Sequence, residues 1–225
     1  MAVLRLEMNS NLFLRDPQDT ELGRKIIKES IKMIDELGLE AFTFKKLSKT
    51  IESTEASIYR YFENKRKLLV YLIAWYWNWL EYKIEFETNN VHSAQERLSI
   101  ALRLITERTT QDPSFPSVDE PALQRIVTCE SDKAYLTKHV DDDNKEGLFW
   151  GIKSLCRRIA VIIKEINPNY KYAHALASTA LEAAHQQVFF SEHLPSLTEH
   201  QFESENVYRQ NHEFLSEMIG GAIQQ

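Results

Sequence analysis

Apolar residues recur along this chain with a period near 3.6, and almost nowhere with a period of two. Leu22, Ile26, Ile27, Ile31, Ile34 and Leu37 share one helical face, with Thr20 as N-cap and Gly38 as C-terminal stop. Thr43 precedes a second segment that buries Leu47 and Ile51. Thr54 precedes a third, which turns Ile58 and Phe62 inward at i, i+4. Asn64 caps a fourth helix from Lys65 to about Glu87, apolar nearly all round over its first half, as a central helix would be. Residues 1–18 carry no such period and read as a tail.

Further along, Ser93 and Glu96 form a capping box that opens a fifth helix, to about Thr110. "QDPSFPSVDEP" is a loop, and Asp119 with Pro121 starts a sixth helix that runs on or breaks near Ser131. Asp141–Asn144 reads as a solvated break. Apolar residues at 149, 152, 155, 156, 159, 160, 163 and 166 predict a long amphipathic helix from Leu148 to "NPN", and Asn169 begins another, to about His193. A second capping box, Thr198 to Gln201, opens the last helix, whose Phe202, Tyr208, Phe214, Leu215, Met218 and Ile219 precede Gly220 and Gly221. The sum is an all-α chain of about nine helices, with no strand and no internal repeat.

Composition narrows the class. Six Gly and six Pro supply too few tight turns for a sandwich of short strands. Cys129 and Cys156 have no CxxC or framework spacing, so they read as reduced, buried thiols rather than a secreted disulfide scaffold. Arg5, Glu7, Asn9 and Asn11 interrupt the apolar residues of the first segment, leaving no signal-peptide core and a cytoplasmic expectation. The most apolar run, Leu68 to Trp77, is too short to span a bilayer. Net charge is -6, yet residues 24–67 hold eleven Lys/Arg against seven Asp/Glu, so the basic residues are concentrated in one segment.

That segment has the grammar of a helix-turn-helix: two short Thr-capped helices joined through "ESTEAS" and followed by Lys65, Arg66 and Lys67. On the third helix Ile58, Phe62 and Thr54 turn inward, while Ala56, Tyr59 and Arg60 point the other way with Glu55 and Ser57 at the margins. Cations at a helix start oppose the macrodipole, so an external phosphate is the expected partner of Lys65–Lys67, and of Lys45 and Lys46. A packed domain tolerates such a start at about 0.3–1 kcal/mol per charge, so internal placement is the competing reading.

The string "TFKKLSKTIESTEASIYRYFENKRKLL", residues 43–69, resembles the DNA-binding domain of TetR-family transcriptional repressors through Thr43, Leu47, Thr54, Tyr59, Phe62, Lys65 and Leu68, with "LGLEAFTF" fitting ahead of it. The resemblance implies a DNA-binding domain at 19–66 and a ligand-binding and dimerisation domain at 67–225. It implies that Thr43 and Thr54 hold helix starts near phosphates, that Tyr59 donates its hydroxyl to one, and that Lys65 adds a backbone contact. Glu55, Ala56, Ser57 and Arg60 are left to read bases. The turn departs from the family pattern at Glu52 and Ser53, so a left-handed residue there falls on a side chain rather than on Gly.

The same likeness implies a small-molecule effector and a homodimer through the last two helices. Trp75, Trp79, Tyr82, Phe86, Phe149 and Trp150 are candidate pocket residues, with core packing as the competing reading of each. Ala-rich "YAHALASTALEAAHQQVFF" permits close helix approach, within the chain or between copies. His174 and His185 share a helical face but have no third ligand with a matching signature, and "DDDNKEG" has Glu146 where a calcium loop needs Gly. No phosphate-binding, dinucleotide or nucleophile-elbow motif is present, so neither enzyme activity nor cofactor is expected. The reading is a ligand-responsive regulator that binds a double-stranded DNA operator. A helical sensor or interaction module with a degenerate DNA-binding head is the alternative.

Overall fold

The computed structural model describes residues 4–201 and 206–224. Among them are eleven α-helices and no strand: α1 (Glu21–Ala41), α2 (Phe44–Thr50), α3 (Glu55–Tyr59), α4 (Lys65–Thr88), α5 (Ala94–Thr106), α6 (Glu120–Glu130), α7 (Asp132–Tyr135), α8 (Val140–Lys145), α9 (Trp150–Ile166), α10 (Ala173–His193) and α11 (Asn206–Ile223). Six N-terminal caps legible in the sequence form as side-chain bonds. Thr20, Thr43, Thr54, Asn64, Ser93 and Asp119 accept the N–H of Gly23, Lys46, Ser57, Lys67, Glu96 and Ala122 at 2.9–3.2 Å.

The chain divides into two compact units, residues 1–77 with 109–151, and residues 78–108 with 152–225. In the first, α1 lays Ile26, Ile27, Ile31 and Ile34 against α6, whose Leu123, Ile126 and Val127 are equally buried. Each such side chain contributes about 1.5–3 kcal/mol relative to exposure. The first half of α4 is buried on all sides, Leu68 to Trp77 without exception, as its continuous apolar run requires. In the second unit α10 packs on α11, and α5 on both. The small residues Ala173, Ala177, Ala180 and Ala184 are spent on close approach within the chain, where Asn211 Nδ2 donates to the Ala184 carbonyl at 2.7 Å. Glu81 holds α9 through Ser154 at 2.7 Å and Arg158 at 3.3 Å.

Several sequence expectations are corrected. Residues 4–18 are no free tail: Leu6, Met8 and Leu12 are buried, Leu14 N–H bonds the Tyr61 carbonyl at 2.8 Å, and Arg5 pairs with Asp16 and Asp19. The alternation that lacks a helical period still places one apolar side in the core. Asp141–Asn144 belongs to α8, which with α7 raises the helix number above nine, and Asp143 within it is buried. Thr198 opens no helix, since residues 198–201 are not helical and its hydroxyl donates to Gln187 at 2.7 Å; the last described helix spans Asn206–Ile223 and runs through Gly220 and Gly221. Phe202 lies outside the described residues. Cys129 is exposed and Cys156 half-buried. No described helix is long and apolar enough to cross a membrane.

Gly23 marks where the N-terminal segment meets α1. A Cβ there would lie 2.3 Å from the Pro17 carbonyl oxygen and 2.6 Å from Pro17 Cα, backbone that cannot swing aside. Gly23→Ala should therefore cost about 1–3 kcal/mol and lower Tm, with limited proteolysis opening first among residues 4–18. Unchanged Tm and protection would mean the segment is not locked there.

Glu120, wholly buried at the start of α6, has one carboxylate oxygen without a partner among the described residues and the other on the Asp112 N–H at 3.3 Å. Burial, with Asp112 and Asp119 nearby, raises its pKa from 4.5 to about 7, against the lowering effect of the backbone bonds. Between those values the folded chain holds a proton that the unfolded chain has released, so this group's contribution to stability falls as pH rises through the window. Glu120→Gln should raise Tm at pH 7.5 more than at pH 5. An equal effect at both would remove Glu120 as the cause.

Candidate nucleic-acid interface

α2 and α3 are too short to be stable alone, seven and five residues, and are held by what they bury. Leu47, Ile58 and Phe62 are fully buried, and Phe62 stacks edge-on to Tyr71 of α4 at 5.4 Å. With Ile58 inward, α3 turns Glu55, Ala56, Tyr59 and Arg60 to the surface, and leaves Ser57 half-buried with its hydroxyl 2.9 Å from that of Thr54. Tyr59 is 48% exposed, its ring edge-on to Phe44 at 5.0 Å. Thr43 and Thr54 are exposed at their helix starts while their side chains cap them. Between the helices Glu52 takes φ 54°, the left-handed conformation that the missing Gly makes a side chain bear, at a cost of about 1–2 kcal/mol.

The cations are arranged differently from the sequence expectation. Lys65 Nζ donates to the carbonyls of Leu39, Glu40 and Phe42 at 2.9, 3.2 and 3.4 Å. Lys46 Nζ donates to the Ala41 carbonyl at 2.7 Å. Both ammoniums thus cap the C-terminal end of α1, whose last carbonyls lack partners within the helix. Arg66 donates to the Ala134 carbonyl and Thr137 hydroxyl at 3.0 Å and pairs with Asp143, while Lys67 bridges to Glu146 at 3.1 Å. The acidic stretch once read as solvated therefore neutralises the start of α4. Lys45, Lys49 and Arg60 are exposed and make no ion pair among the described residues, so α2 and the end of α3 carry outward positive charge, as does α1 through Arg24, Lys25, Lys28 and Lys32.

Of the six aromatic pocket candidates, Trp75, Phe149 and Trp150 belong to the first unit and Trp79, Tyr82 and Phe86 to the second. Trp75 is buried against Phe115 at 5.3 Å, and Phe149 against Tyr135 at 5.2 Å. Trp79 is buried with Lys83 Nζ 5.0 Å from its ring centre, and Tyr82 is half-buried beside Phe86. Phe86 and Trp150, at 70% and 56% exposure, are surface side chains. Helical period placed them with the others, but only partners on neighbouring helices decide which turns are covered. Of the six, Trp75 lines a cavity of about 460 Å³ in the first unit, between α1, α4 and residues 115–118. Sequence period gave no signal for that cavity, because its wall includes the N-terminal segment. Among the described residues no cluster of His, Cys, Asp and Glu could hold a metal ion.

Residues 26–72 match the sequence model of a family described as bacterial regulatory proteins, tetR family. No curated protein matches the chain in sequence. Solved structures share its fold. AibR in complex with isovaleryl coenzyme A and operator DNA aligns at TM-score 0.56 and 14% identity, over 87% of this chain and 97% of that one. The ketosteroid transcriptional regulator KstR2 of Mycobacterium tuberculosis aligns at 0.56 and 13%, over 92% and 98%. The fatty acid degradation regulator FadR of Bacillus halodurans aligns at 0.62 and 15%, over 88% and 94%.

The internal use of Arg66 is open to measurement. Asp143→Ala leaves its guanidinium, 24% exposed, without a carboxylate, and should cost about 2 kcal/mol in denaturant unfolding. Arg66→Ala in the Asp143→Ala background should then cost much less than in the parent, and strictly additive effects would show that the two are uncoupled.

Proposed function

We propose that this chain, a regulator of the tetR family of bacterial regulatory proteins, represses transcription by binding a palindromic DNA operator as a homodimer and releasing it when a small effector binds. The observation that carries the reading is the outer face of α2 and α3. Unpaired Lys45, Lys49 and Arg60 lie there beside two Thr-capped helix starts, with Tyr59 half-exposed between them. Residues 19–66 form the DNA-binding domain, and residues 67–225 the part that senses ligand and dimerises.

On this reading Lys45, the helix start at Thr43 and the Tyr59 hydroxyl contact phosphates. Lys65 contributes through its own N–H at the start of α4, since its ammonium is committed to α1. Thr54 fixes the start of α3, and Arg60, Ala56, Glu55 and Ser57 meet base edges: Arg to guanine, Ala to a thymine methyl, Glu to cytosine N4. Two copies would present α3 to successive major grooves about 34–36 Å apart. Dimerisation through α10 and α11 is supported by Phe214, 40% exposed, and by Gly220 and Gly221, beside which an added Cβ would meet nothing within 4 Å. Operator DNA and isovaleryl coenzyme A occur together in the AibR structure, which supports a pairing of DNA with a small molecule here. A DNA-binding role would place the chain in the cytoplasm.

Titration of the purified protein against its own upstream DNA tests this. Log affinity should fall steeply with log salt, and scrambled DNA should bind more weakly. Tyr59→Phe and Lys45→Ala should weaken binding to all sequences alike, with Lys45→Ala lowering the salt slope by about 1. Arg60→Ala should cost about 1–3 kcal/mol on the operator and relax its sequence preference. A flat salt response with no preference for the upstream DNA would favour a helical sensor whose DNA-binding head has lost that role.

A further inference from the structure

The cavity in the first unit has a chemical character of its own. Its walls are mostly apolar, with Ile27 of α1, Tyr71 and Trp75 of α4, Phe115 and Val118 of the loop before α6, and Leu4 and Pro17 of the N-terminal segment. Its volume, about 460 Å³, falls in the range of small-molecule sites, about 300–1,000 Å³. Five polar residues line it, Arg5, Gln18, Arg24, Tyr71 and Ser117. Tyr71 is 1% exposed, and its hydroxyl makes no hydrogen bond among the described residues. Its ring meets that of Phe13, in the N-terminal segment, edge-on at 6.2 Å. Tyr71 lines the cavity, so a ligand oxygen there would give its hydroxyl a partner.

The two guanidiniums at the rim are not equivalent. Arg5 is already neutralised by Asp16 and Asp19 at 2.5 and 2.6 Å. Arg24, exposed on the first turns of α1, makes one bond, Nη1 to the Gln18 carbonyl at 2.7 Å, and no ion pair. No Asp or Glu lines the cavity. An anion therefore finds one uncompensated charge, at Arg24, and an apolar interior behind it.

We propose that this cavity is a binding site for an apolar ring compound carrying one carboxylate or equivalent anionic group, with the anion on Arg24, the ring among Ile27, Trp75 and Phe115, and a hydrogen-bonding atom at Tyr71. The site lies between α1 and α4, the two helices that carry α2 and α3. An occupant would thus set the spacing of the elements to which the DNA-binding face is attached. This deepens the ligand-responsive reading and rests on it for its regulatory meaning, while binding itself is measured without DNA.

The probe is anilinonaphthalene sulfonate, an aromatic anion whose fluorescence rises in apolar surroundings, titrated into the full chain. One saturable site with energy transfer from tryptophan is expected. Arg24→Gln, a surface change that leaves the fold intact, should weaken it about tenfold or more, and Tyr71→Phe about threefold. Val118→Trp, which fills the cavity, should abolish it, with circular dichroism reporting that the variant is folded. No saturable binding by the parent, or binding unchanged in both Arg24→Gln and Val118→Trp, overturns the proposal. Operator affinity measured without probe is a separate readout, so loss of DNA binding leaves the cavity result standing, and the reverse.

Discussion

The break in α1 at Gly38 is the constraint on which the placement of α2 and α3 depends. Gly38 takes φ 73° and ψ 160°, so the helix ends its regular course there and its flanking backbone groups lose their intrahelical partners. Two charges of opposite sign satisfy them. The Glu130 carboxylate, from the last residue of α6, accepts the Leu39 N–H at 2.9 Å. The Lys65 ammonium, from the first residue of α4, takes the carbonyls on the other side. A buried backbone end left unpaired would cost about 1–3 kcal/mol per group, so the path from α1 into α2 is fixed jointly by α4 and α6. A Cβ at residue 38 would also come within 3.3 Å of Glu130 Oε1, which ties the choice of Gly to the same contact.

This arrangement changes the electrostatic account of the surface. Of the basic cluster in residues 24–67, Lys46, Lys65, Arg66 and Lys67 are consumed inside the first unit by carbonyls and by the acidic residues of α8. A cation at a helix start is unfavourable by less than 1 kcal/mol, whereas each charge-assisted bond returns about 1.5–3 kcal/mol. Internal pairing therefore wins without any external phosphate. What remains outward is the other seven: Arg24, Lys25, Lys28 and Lys32 on α1, Lys45 and Lys49 on α2, and Arg60. The exposed carboxylates Glu52 and Glu55 lie in the same stretch of chain and offset part of that charge.

The all-helical class and the helix-turn-helix were legible because their signals are local: a hydroxyl or carboxamide that caps the residue three places on, and apolar residues that recur on one face. Thr43, Thr54 and Asn64 each formed the bond their position implied. The partners of Lys65 and Arg66 were not legible, since they lie 26 and 77 residues away in sequence, respectively at Leu39 and Asp143, and nothing local marks them. Residues 4–18 were missed for a related reason. A segment of extended backbone and short 3-10 turns that buries Leu6, Met8, Leu12 and Pro17 has no helical period, and its binding surface is built by other parts of the chain. Trp150 and Phe86 show the converse: a correct helical face says nothing about whether a neighbour covers it.

Glu52 joins these threads. Its left-handed backbone is held by Ser53 N–H on the Ser48 carbonyl at 2.9 Å and by Ile51 and Ile58 buried on either side, so the turn persists although its residue type disfavours it. Strain of about 1–2 kcal/mol is affordable only where the surrounding packing over-determines the conformation. Here that packing is α2 and α3 closed over Leu47, Ile58 and Phe62. The Glu52 carboxylate is exposed, as is Glu55 at the start of α3, and neither is neutralised by an ion pair among the described residues. The turn therefore carries both a backbone cost and two uncompensated negative charges, and it is the buried side of α2 and α3, not the residue type at position 52, that holds its shape.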